Sequence, residues 1–397
     1  MDYQQFLETK KKNLINVGFD IDKTFNYLFP FQNYCIKRAL KQGRRAIFSG
    51  CGTGKTRMQL TFAREVSNYT NGYSLILAPL SVVEQTKEEA EGLGISMERI
   101  TCINYDQLDN IDCSIFNCIV LDESSILKSF TGKMKNKIID TFKNTPYKLS
   151  CTATPAPNDY NEIGNQSEFL NILDAQDMRS KWFVRDEGMN NYRLKSHAKK
   201  SFFGWIASWA DMFITPSDIG FPMEGFNLPP INYQEIKINA ENKDNTRLFV
   251  QGHVNATSFH KEVRSTLNDR MKSISDIVNN SEEQFIIWIE QNIEGDELRK
   301  LIPDAIEVRG SDTPERKAKN LLGFAHKEFR VLITKGEIAG FGMNYQQSHN
   351  MIFANPSFSF ETIYQCICRQ YRFGQKNTVN VWMIVPDSME NVITNYR

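Results

Sequence analysis

The stretch from Ser49 to Thr56, Ser-Gly-Cys-Gly-Thr-Gly-Lys-Thr, constrains the fold of this chain more than any other. It follows the apolar run Ala46–Phe48, which predicts a buried strand, and it precedes a helical pattern over residues 57–66. A strand, a glycine-rich loop and a helix in this order are typical of a phosphate-binding loop. Ser49 stands where the strict pattern has its first glycine, and a tight turn that happens to contain Gly-Lys-Thr is the alternative.

The residue types of this loop explain how it would hold phosphate. Glycines let backbone N–H groups turn inward around an anion, and the start of the helix adds partial positive charge. Lys55 can reach the β- and γ-phosphates, and the Thr56 hydroxyl can hold Mg²⁺. We therefore expect a nucleotide to be bound by Gly50, Gly52, Thr53, Gly54, Lys55 and Thr56.

Length and charge set broad limits. A chain of 397 residues is too long for one ordinary core, so two domains are expected. Lys+Arg and Asp+Glu balance at 47 each, so any basic surface for nucleic acid must be local.

The cysteines and the apolar runs indicate a cytoplasmic protein. The eight cysteines are scattered, and without a signal peptide we interpret them as reduced thiols. Cys366 and Cys368 are the closest pair, but no second pair completes a zinc site, so we expect helix packing and no structural metal. No run approaches the length of a membrane span, so no membrane partner is expected.

Two halves of the chain alternate strand and helix patterns. In the first half, apolar runs end on Asp122-Glu123 and on Thr152-Ala153-Thr154, as another ends on the phosphate loop. Such alternation predicts parallel doubly wound sheets, in which ligands bind at the carboxyl ends of strands. The predicted division is a helical lead-in (1–27), a first α/β domain (28–159), a helical basic and aromatic insertion with a linker (160–230) and a second α/β domain (231–397).

The stretch from Arg179 to Lys200 holds seven Lys and Arg residues against two acids, with interleaved aromatic residues. This mixture is typical of a surface that follows a nucleic-acid backbone, which Lys195, Lys199 and Lys200 would contact. A solvated helical face above an aromatic core is the alternative.

Three further groups complete the candidate site. Asp122 can hold the Mg²⁺ that Thr56 also contacts, and Glu123 can orient the attacking water. Gln32 precedes the phosphate loop, and its amide can recognise adenine because it both donates and accepts; a surface glutamine is the alternative. Gln365, Arg369 and Arg372 would share a helix face, where two arginines repel unless they meet an anion such as a triphosphate. Arg372 is then the candidate arginine finger.

Together these segments resemble superfamily 2 helicases, and within them the Swi2/Snf2-like group. Phe31-Gln32 resembles the Q-type adenine motif, residues 49–56 motif I, and Ala78–Ser81 motif Ia. Asp122–Ser125 is similar to motif II, in the place of the DEAD or DEAH box, and residues 151–155 to motif III. Residues 340–345, with Gly342 and Asn344, resemble motif V, although Tyr345 replaces its leucine. Residues 365–375 match motif VI, whose final Gly-Gln is a Snf2-like trait. The compact length and the Asp-Glu-Ser-Ser box resemble helicases carried by bacteriophages, for which the compartment would be the host cytoplasm.

The resemblance implies two RecA-like domains with ATP and Mg²⁺ in the cleft between them and DNA across both. It implies ATP-dependent DNA translocation, catalysed with Lys55, Asp122, Glu123, Arg369 and Arg372. Gly342, Asn344 and Gln365 would then contact the nucleotide, and Thr152 and Thr154 would couple it to DNA. Replication or recombination proteins are the partners it implies. An RNA-directed helicase and a nucleotide-gated scaffold without turnover are the alternatives.

Overall fold

The computed structural model describes residues 17–128, 132–185, 192–238, 264–339, 343–355 and 360–386. The chain divides into two compact units, Met1–Glu224 and Gly225–Arg397. Each unit is built on a six-stranded parallel sheet with helices between its strands. The predicted fold class, two doubly wound parallel-sheet domains of the RecA-like kind, is confirmed. The position of a nucleotide relative to the two units stays a prediction.

The first unit contains residues 49–56, the candidate phosphate loop, which is called the phosphate loop below. Its strands are β1 (Arg44–Ser49), β2 (Tyr73–Ala78), β3 (Ile100–Asn104), β4 (Phe116–Asp122), β5 (Tyr147–Thr152), β6 (Phe183–Arg185), β7 (Tyr192–Leu194) and β8 (Ala210–Phe213). Six of them form a sheet in the order β3-β2-β4-β5-β1-β8, and β6 and β7 form an antiparallel hairpin. The α-helices described in this unit are Pro30–Gln42, Lys55–Thr70, Leu80–Gly92, Lys133–Thr141, Ile163–Phe169, Ala175–Trp182 and Lys199–Trp209.

The register of the central strands brings three carboxyl ends to one edge of the sheet. Phe48 of β1 lies beside Thr152 of β5, and Asp122 of β4 lies beside Cys151 of β5. The phosphate loop and the two polar segments after β4 and β5 therefore start from adjacent strands. Because the strands are parallel, this edge is where ligands bind in such sheets.

Residues 160–224 differ from the expected helical insertion. Strand β8 pairs in parallel with β1 and extends the first sheet, and the backbone N–H of Gly50 donates to the carbonyl oxygen of Phe213 at 2.9 Å. The helix before β8 packs Phe202 and Trp209 into the core of the same unit. The predicted limit of the first α/β domain at residue 159 is thus corrected, because the strand that closes the sheet lies fifty residues later in the sequence.

The second unit has the strands β9 (Ile231–Ile238), β10 (Phe285–Ile289), β11 (Ala305–Val308), β12 (Val331–Lys335), β13 (Asn350–Phe353) and β14 (Val379–Pro386). They are parallel and ordered β11-β12-β10-β13-β14-β9. Along β10, side chains enter two apolar clusters alternately, with Ile286 in one and Ile287 in the other. Both faces of this sheet are therefore covered, which explains its continuous apolar strands. The α-helices described here are Leu267–Asn279, Asn292–Leu301, Pro314–Ala325, Gly336–Ala339 and Phe360–Ile367.

The lead-in is not helical where the structure describes it. Residues 17–25 have no regular secondary structure, and the earlier part of the lead-in lies outside the described residues. The backbone N–H of Phe19 donates to the carbonyl oxygen of Leu40, and the Phe19 ring stacks on the ring of Tyr69 with centroids 3.9 Å apart. Contacts with two helices thus replace the predicted local helix. Among the described residues, no helix is long and apolar enough to cross a membrane.

Candidate functional site

The phosphate loop connects β1 to the helix Lys55–Thr70. Gly52 and Gly54 have φ of 77° and 78°, a left-handed conformation that favours glycine. A Cβ atom at Gly54 would lie 2.3 Å from Nε2 of Gln32, and one at Gly50 would lie 2.4 Å from the carbonyl oxygen of Ile214. A side chain at Gly50 is therefore excluded by backbone, and one at Gly54 would displace the Gln32 amide.

Ser49, the departure from the strict motif, holds the loop closed. The hydroxyl groups of Ser49 and Thr53 are 2.7 Å apart, and Oγ1 of Thr53 donates to the carbonyl oxygen of Gly50 at 2.8 Å. The Ser49 hydroxyl must then donate to Thr53. Both side chains are buried, so this short chain of hydrogen bonds is shielded from water.

Lys55 keeps its ammonium group inside the loop. Its Nζ donates to the carbonyl oxygens of Ser49 at 2.9 Å and Gly50 at 3.1 Å. A cation held there, beside glycines whose conformation turns backbone N–H groups inward at a helix start, fits a phosphate group.

Gln32 contacts the loop but offers little surface. Its Oε1 accepts from the Phe29 backbone N–H at 2.9 Å, and its Nε2 donates to the Thr53 carbonyl oxygen at 2.7 Å. The side chain is 1% exposed. It ties the phosphate loop to the start of the helix Pro30–Gln42, and recognition of adenine stays a prediction.

Asp122 ends β4 and is linked to the phosphate-loop helix. Nε2 of Gln59 donates to Oδ1 of Asp122 at 2.7 Å, and the Tyr105 hydroxyl donates to the Asp122 carbonyl oxygen at 2.6 Å. Burial, followed by the nearby charges of Asp122 and Glu123, raises the pKa of Tyr105 well above its usual value, so the phenol remains a donor. We did not predict Gln59 or Tyr105. Gln59 follows Lys55 by four residues, and this helical spacing was the available signal.

The two residues predicted to hold Mg²⁺ have suitable donor atoms. The Asp122 carboxylate and the Thr56 hydroxyl offer the oxygen ligands that this cation prefers. No group of three or more His, Cys, Asp or Glu side chains suited to a metal occurs among the described residues. A cation at Asp122 would therefore take its remaining ligands from phosphate oxygens and water.

Glu123 is connected to the segment after β5. It has φ of 51°, in the left-handed region that non-glycine residues rarely occupy. Oγ1 of Thr152 donates to Oε2 of Glu123 at 3.2 Å and accepts from the Thr154 backbone N–H at 3.1 Å. The Thr152 hydroxyl group therefore links Glu123 to the segment after β5, so a displacement of Glu123 would also move this segment.

The predicted arginines of the second unit lie together, although not as expected. The helix Phe360–Ile367 ends before Arg369 and Arg372, so a shared helix face is wrong for these residues. The chain turns after Ile367, and a carbonyl group brings the two guanidinium groups together. Nη1 of Arg369 and Nη1 of Arg372 donate to the Met343 carbonyl oxygen at 3.4 Å and 3.2 Å.

The remaining predicted residues of this unit differ in their relation to the arginines. Nε of Arg369 donates to the carbonyl oxygen of Gln365 at 2.9 Å, and Oδ1 of Asn344 accepts from the Gln346 backbone N–H at 3.3 Å. Gly342 lies outside the described residues. Cys366 lies in the apolar core of the unit, while Cys368 is buried just beyond the end of the helix.

The basic and aromatic stretch has a structural and an exposed part. Trp182 and Phe183 are buried in the core of the first unit, as the solvated-face alternative predicts for aromatic residues. Nζ of Lys195 donates to the carbonyl oxygens of Ser180 and Lys181 at 3.2 Å and 3.1 Å. Lys195 therefore holds the end of the helix Ala175–Trp182, and its contact with nucleic acid stays a prediction.

Neither a protein-family model nor a curated protein sequence matches the chain. Among solved structures, the chain is similar to the Sulfolobus solfataricus SWI2/SNF2 ATPase core in complex with dsDNA. The sequence identity is 16% and the TM-score 0.43, over 96% of this chain and 92% of that chain.

Proposed function

We propose that this protein is a nucleic-acid-dependent ATPase that moves on or remodels DNA. The observation that carries the proposal is the link from the phosphate loop to the carboxylate at the end of β4. Gln59 joins the helix that starts at Lys55 to Asp122, at the ligand-binding edge of a parallel sheet. The motifs described above, in their order along the chain, support the nucleic-acid partner.

In this proposal the loop binds the triphosphate of ATP. The ammonium of Lys55 exchanges its two carbonyl partners for phosphate oxygens. Asp122 and Thr56 hold Mg²⁺, which would neutralise charge on the phosphates when bound. Glu123 orients the attacking water, and its bond to Thr152 passes the change to the segment that contains Thr154.

The arginines of the second unit supply the remaining positive charge. We propose that Arg369 and Arg372 meet the γ-phosphate when nucleic acid brings the two units together, with Arg372 as the arginine finger. Gln32 would contact the base, and Gly342, Asn344 and Gln365 would complete the nucleotide site. Service in bacteriophage DNA replication or recombination, with proteins of those processes, is the finer part of the proposal.

Steady-state ATP hydrolysis tests this function directly. We would measure turnover with no polymer, with single-stranded, double-stranded and forked DNA, and with RNA. Stimulation by DNA above RNA is expected, and stimulation by RNA alone would favour an RNA-directed helicase. Nucleic-acid binding without turnover under every condition would favour a nucleotide-gated scaffold.

A further inference from the structure

Two aromatic rings of the first unit keep much of their surface in solvent. Tyr160 is 54% exposed and Phe203 is 41% exposed, with ring centroids 5.6 Å apart and nearly perpendicular. The buried ring of Phe202 contacts both, at 6.5 Å and 5.5 Å. The exposed pair is therefore held in a fixed orientation by the core beneath it.

Two lysines lie beside this aromatic pair. Phe203 follows Lys199 by four residues and Lys200 by three, so the three side chains are neighbours on one helix surface. In the part of the chain that the structure describes, neither ammonium group has an ion pair or a hydrogen bond. Both lie in the first turn of their helix, where the backbone dipole disfavours cations. Their charges therefore do not stabilise the unit itself.

Gly204 leaves open space next to Phe203. It lies within the helix Lys199–Trp209, and a Cβ atom there would meet no atom within 4 Å apart from its two chain neighbours and the backbone of its own helix. Glycine inside a helix costs about 0.5–1 kcal/mol relative to alanine. Since packing does not require it, close approach of a flat ligand is a physical reason for a glycine at this place.

The partner that fits this surface is an unpaired nucleotide segment. A base offers an aromatic face to Tyr160 and Phe203, and its phosphates offer negative charge to Lys199 and Lys200. In a duplex the base faces are covered by their neighbours, so only an unpaired base can stack here. We propose that Tyr160, Phe203, Lys199 and Lys200 form a stacking platform for single-stranded nucleic acid. The proposal rests on nucleic acid being the partner of the proposed function.

The platform also lies near the site in the chain. Tyr160 follows Thr152 by eight residues, and Thr152 is bonded to Glu123. A base that stacks on Tyr160 would hold one end of the segment 153–159. The other end of this segment follows Thr152, whose hydroxyl group is bonded to Glu123.

Binding of oligonucleotides without ATP tests the platform. Tyr160→Ala and Phe203→Ala should each weaken binding of a fluorescent single-stranded DNA by about 5- to 150-fold, the range that loss of base stacking produces. Affinity for a duplex of equal length should change by less than about threefold, and Tyr160→Phe should bind normally because stacking remains. Tyr73→Ala is a matched control, because this tyrosine is 47% exposed at the start of β2.

Two further variants separate binding from folding. Gly204→Ala should raise the thermal midpoint while weakening single-strand binding, which a purely structural glycine would not do. The double variant Lys199→Ala with Lys200→Ala should reduce the dependence of log affinity on log salt by about 0.7 per phosphate contact. Lys87→Ala, an exposed lysine outside this stretch, should leave this slope unchanged.

If Tyr160→Ala and Phe203→Ala both bind single-stranded DNA as the wild type does, the platform proposal is wrong. The exposed surface would then fit a protein partner instead. Equal losses for single-stranded and duplex DNA would overturn the preference for an unpaired base. These binding experiments contain no ATP. A failure of the protein to hydrolyse ATP would therefore count against the proposed function and not against the platform.

Discussion

Lys55 is held by two carbonyl oxygens of its own loop, while the loop is closed by bonds that do not involve it. Lys55→Ala should therefore leave the fold intact and, in the proposed function, nearly abolish ATP hydrolysis, because it removes the charge that would meet the phosphates. Far-ultraviolet circular dichroism and steady-state turnover would measure the two effects. Lys87→Ala, an exposed lysine in the helix Leu80–Gly92, is the control. A folded Lys55→Ala variant with wild-type turnover would refute the phosphate-loop assignment.

Lys148 is a fully buried lysine in β5. Its ammonium donates to the carbonyl oxygen of Phe169 at 2.8 Å and to Oδ1 of Asn171 at 3.3 Å. Burial, and then the charge of Arg44, lowers the pKa of Lys148 from 10.5 to about 7. The unfolded chain therefore binds more protons than the folded chain between about pH 7 and pH 10.5.

This difference predicts a pH-dependent stability. Relative to Lys148→Met, the free energy of unfolding of the wild type should rise with pH above about 7, by an amount on the order of a few kcal/mol. Below pH 7 both states carry the proton and the difference should be flat. Urea unfolding from pH 6 to pH 9.5 would measure it. A difference that falls as pH rises would contradict the lowered pKa.

At the scale of secondary-structure elements, a buried ion pair connects β8 to its neighbour β1 in the first sheet. Arg45 on β1 donates to both carboxylate oxygens of Asp211 on β8, at 2.6 Å and 2.8 Å, and both side chains are buried. The end of β8 in turn accepts a bond from Gly50 at the start of the phosphate loop. The ion pair holds β8 against β1, and this backbone bond connects β8 to the loop.

Asp211→Asn should destabilise the first unit by roughly 3–5 kcal/mol, because it leaves a buried guanidinium without its counter-charge. Urea denaturation followed by tryptophan fluorescence would measure the loss. Glu84→Gln breaks the exposed pair with Lys87 and should change stability by less than about 1 kcal/mol. Similar effects of the two substitutions would show that the buried pair does not hold β8.

At the scale of the whole molecule, the candidate site residues fall in two units. Lys55 and Asp122 belong to the first, and Arg369 and Arg372 to the second. In the proposed function, a group of the second unit can assist hydrolysis only after a conformational step, which nucleic acid would favour.

Arg372→Ala should therefore keep nucleotide affinity within a few-fold while its DNA-stimulated turnover falls by about 10³ or more, the scale of an arginine finger. Arg372→Lys should rescue poorly, because an ammonium lacks the planar fork of a guanidinium. Nucleotide binding and turnover would be measured on the same preparation, with Arg316→Ala, an exposed arginine of the second unit, as control. Weak binding with normal turnover at saturating ATP would instead make Arg372 a binding residue.

Local patterns were enough to predict the fold class and the place of the loop. The apolar runs of the central strands and the glycine spacing depend on neighbouring residues, so β1, the loop and its helix follow from the sequence by itself. The same reasoning predicted that polar residues after β4 and β5 share one sheet edge, because parallel strands impose it.

Only the tertiary structure decided which distant residues complete these elements. Strand β8 pairs with β1 and brings Asp211 to Arg45, and the two arginines meet at a single carbonyl group after their helix has ended. Gln32, Gln59 and Thr152 likewise have partners far away in the chain. Such contacts depend on how elements pack across long separations in sequence, and neither periodicity nor motif spacing encodes that packing.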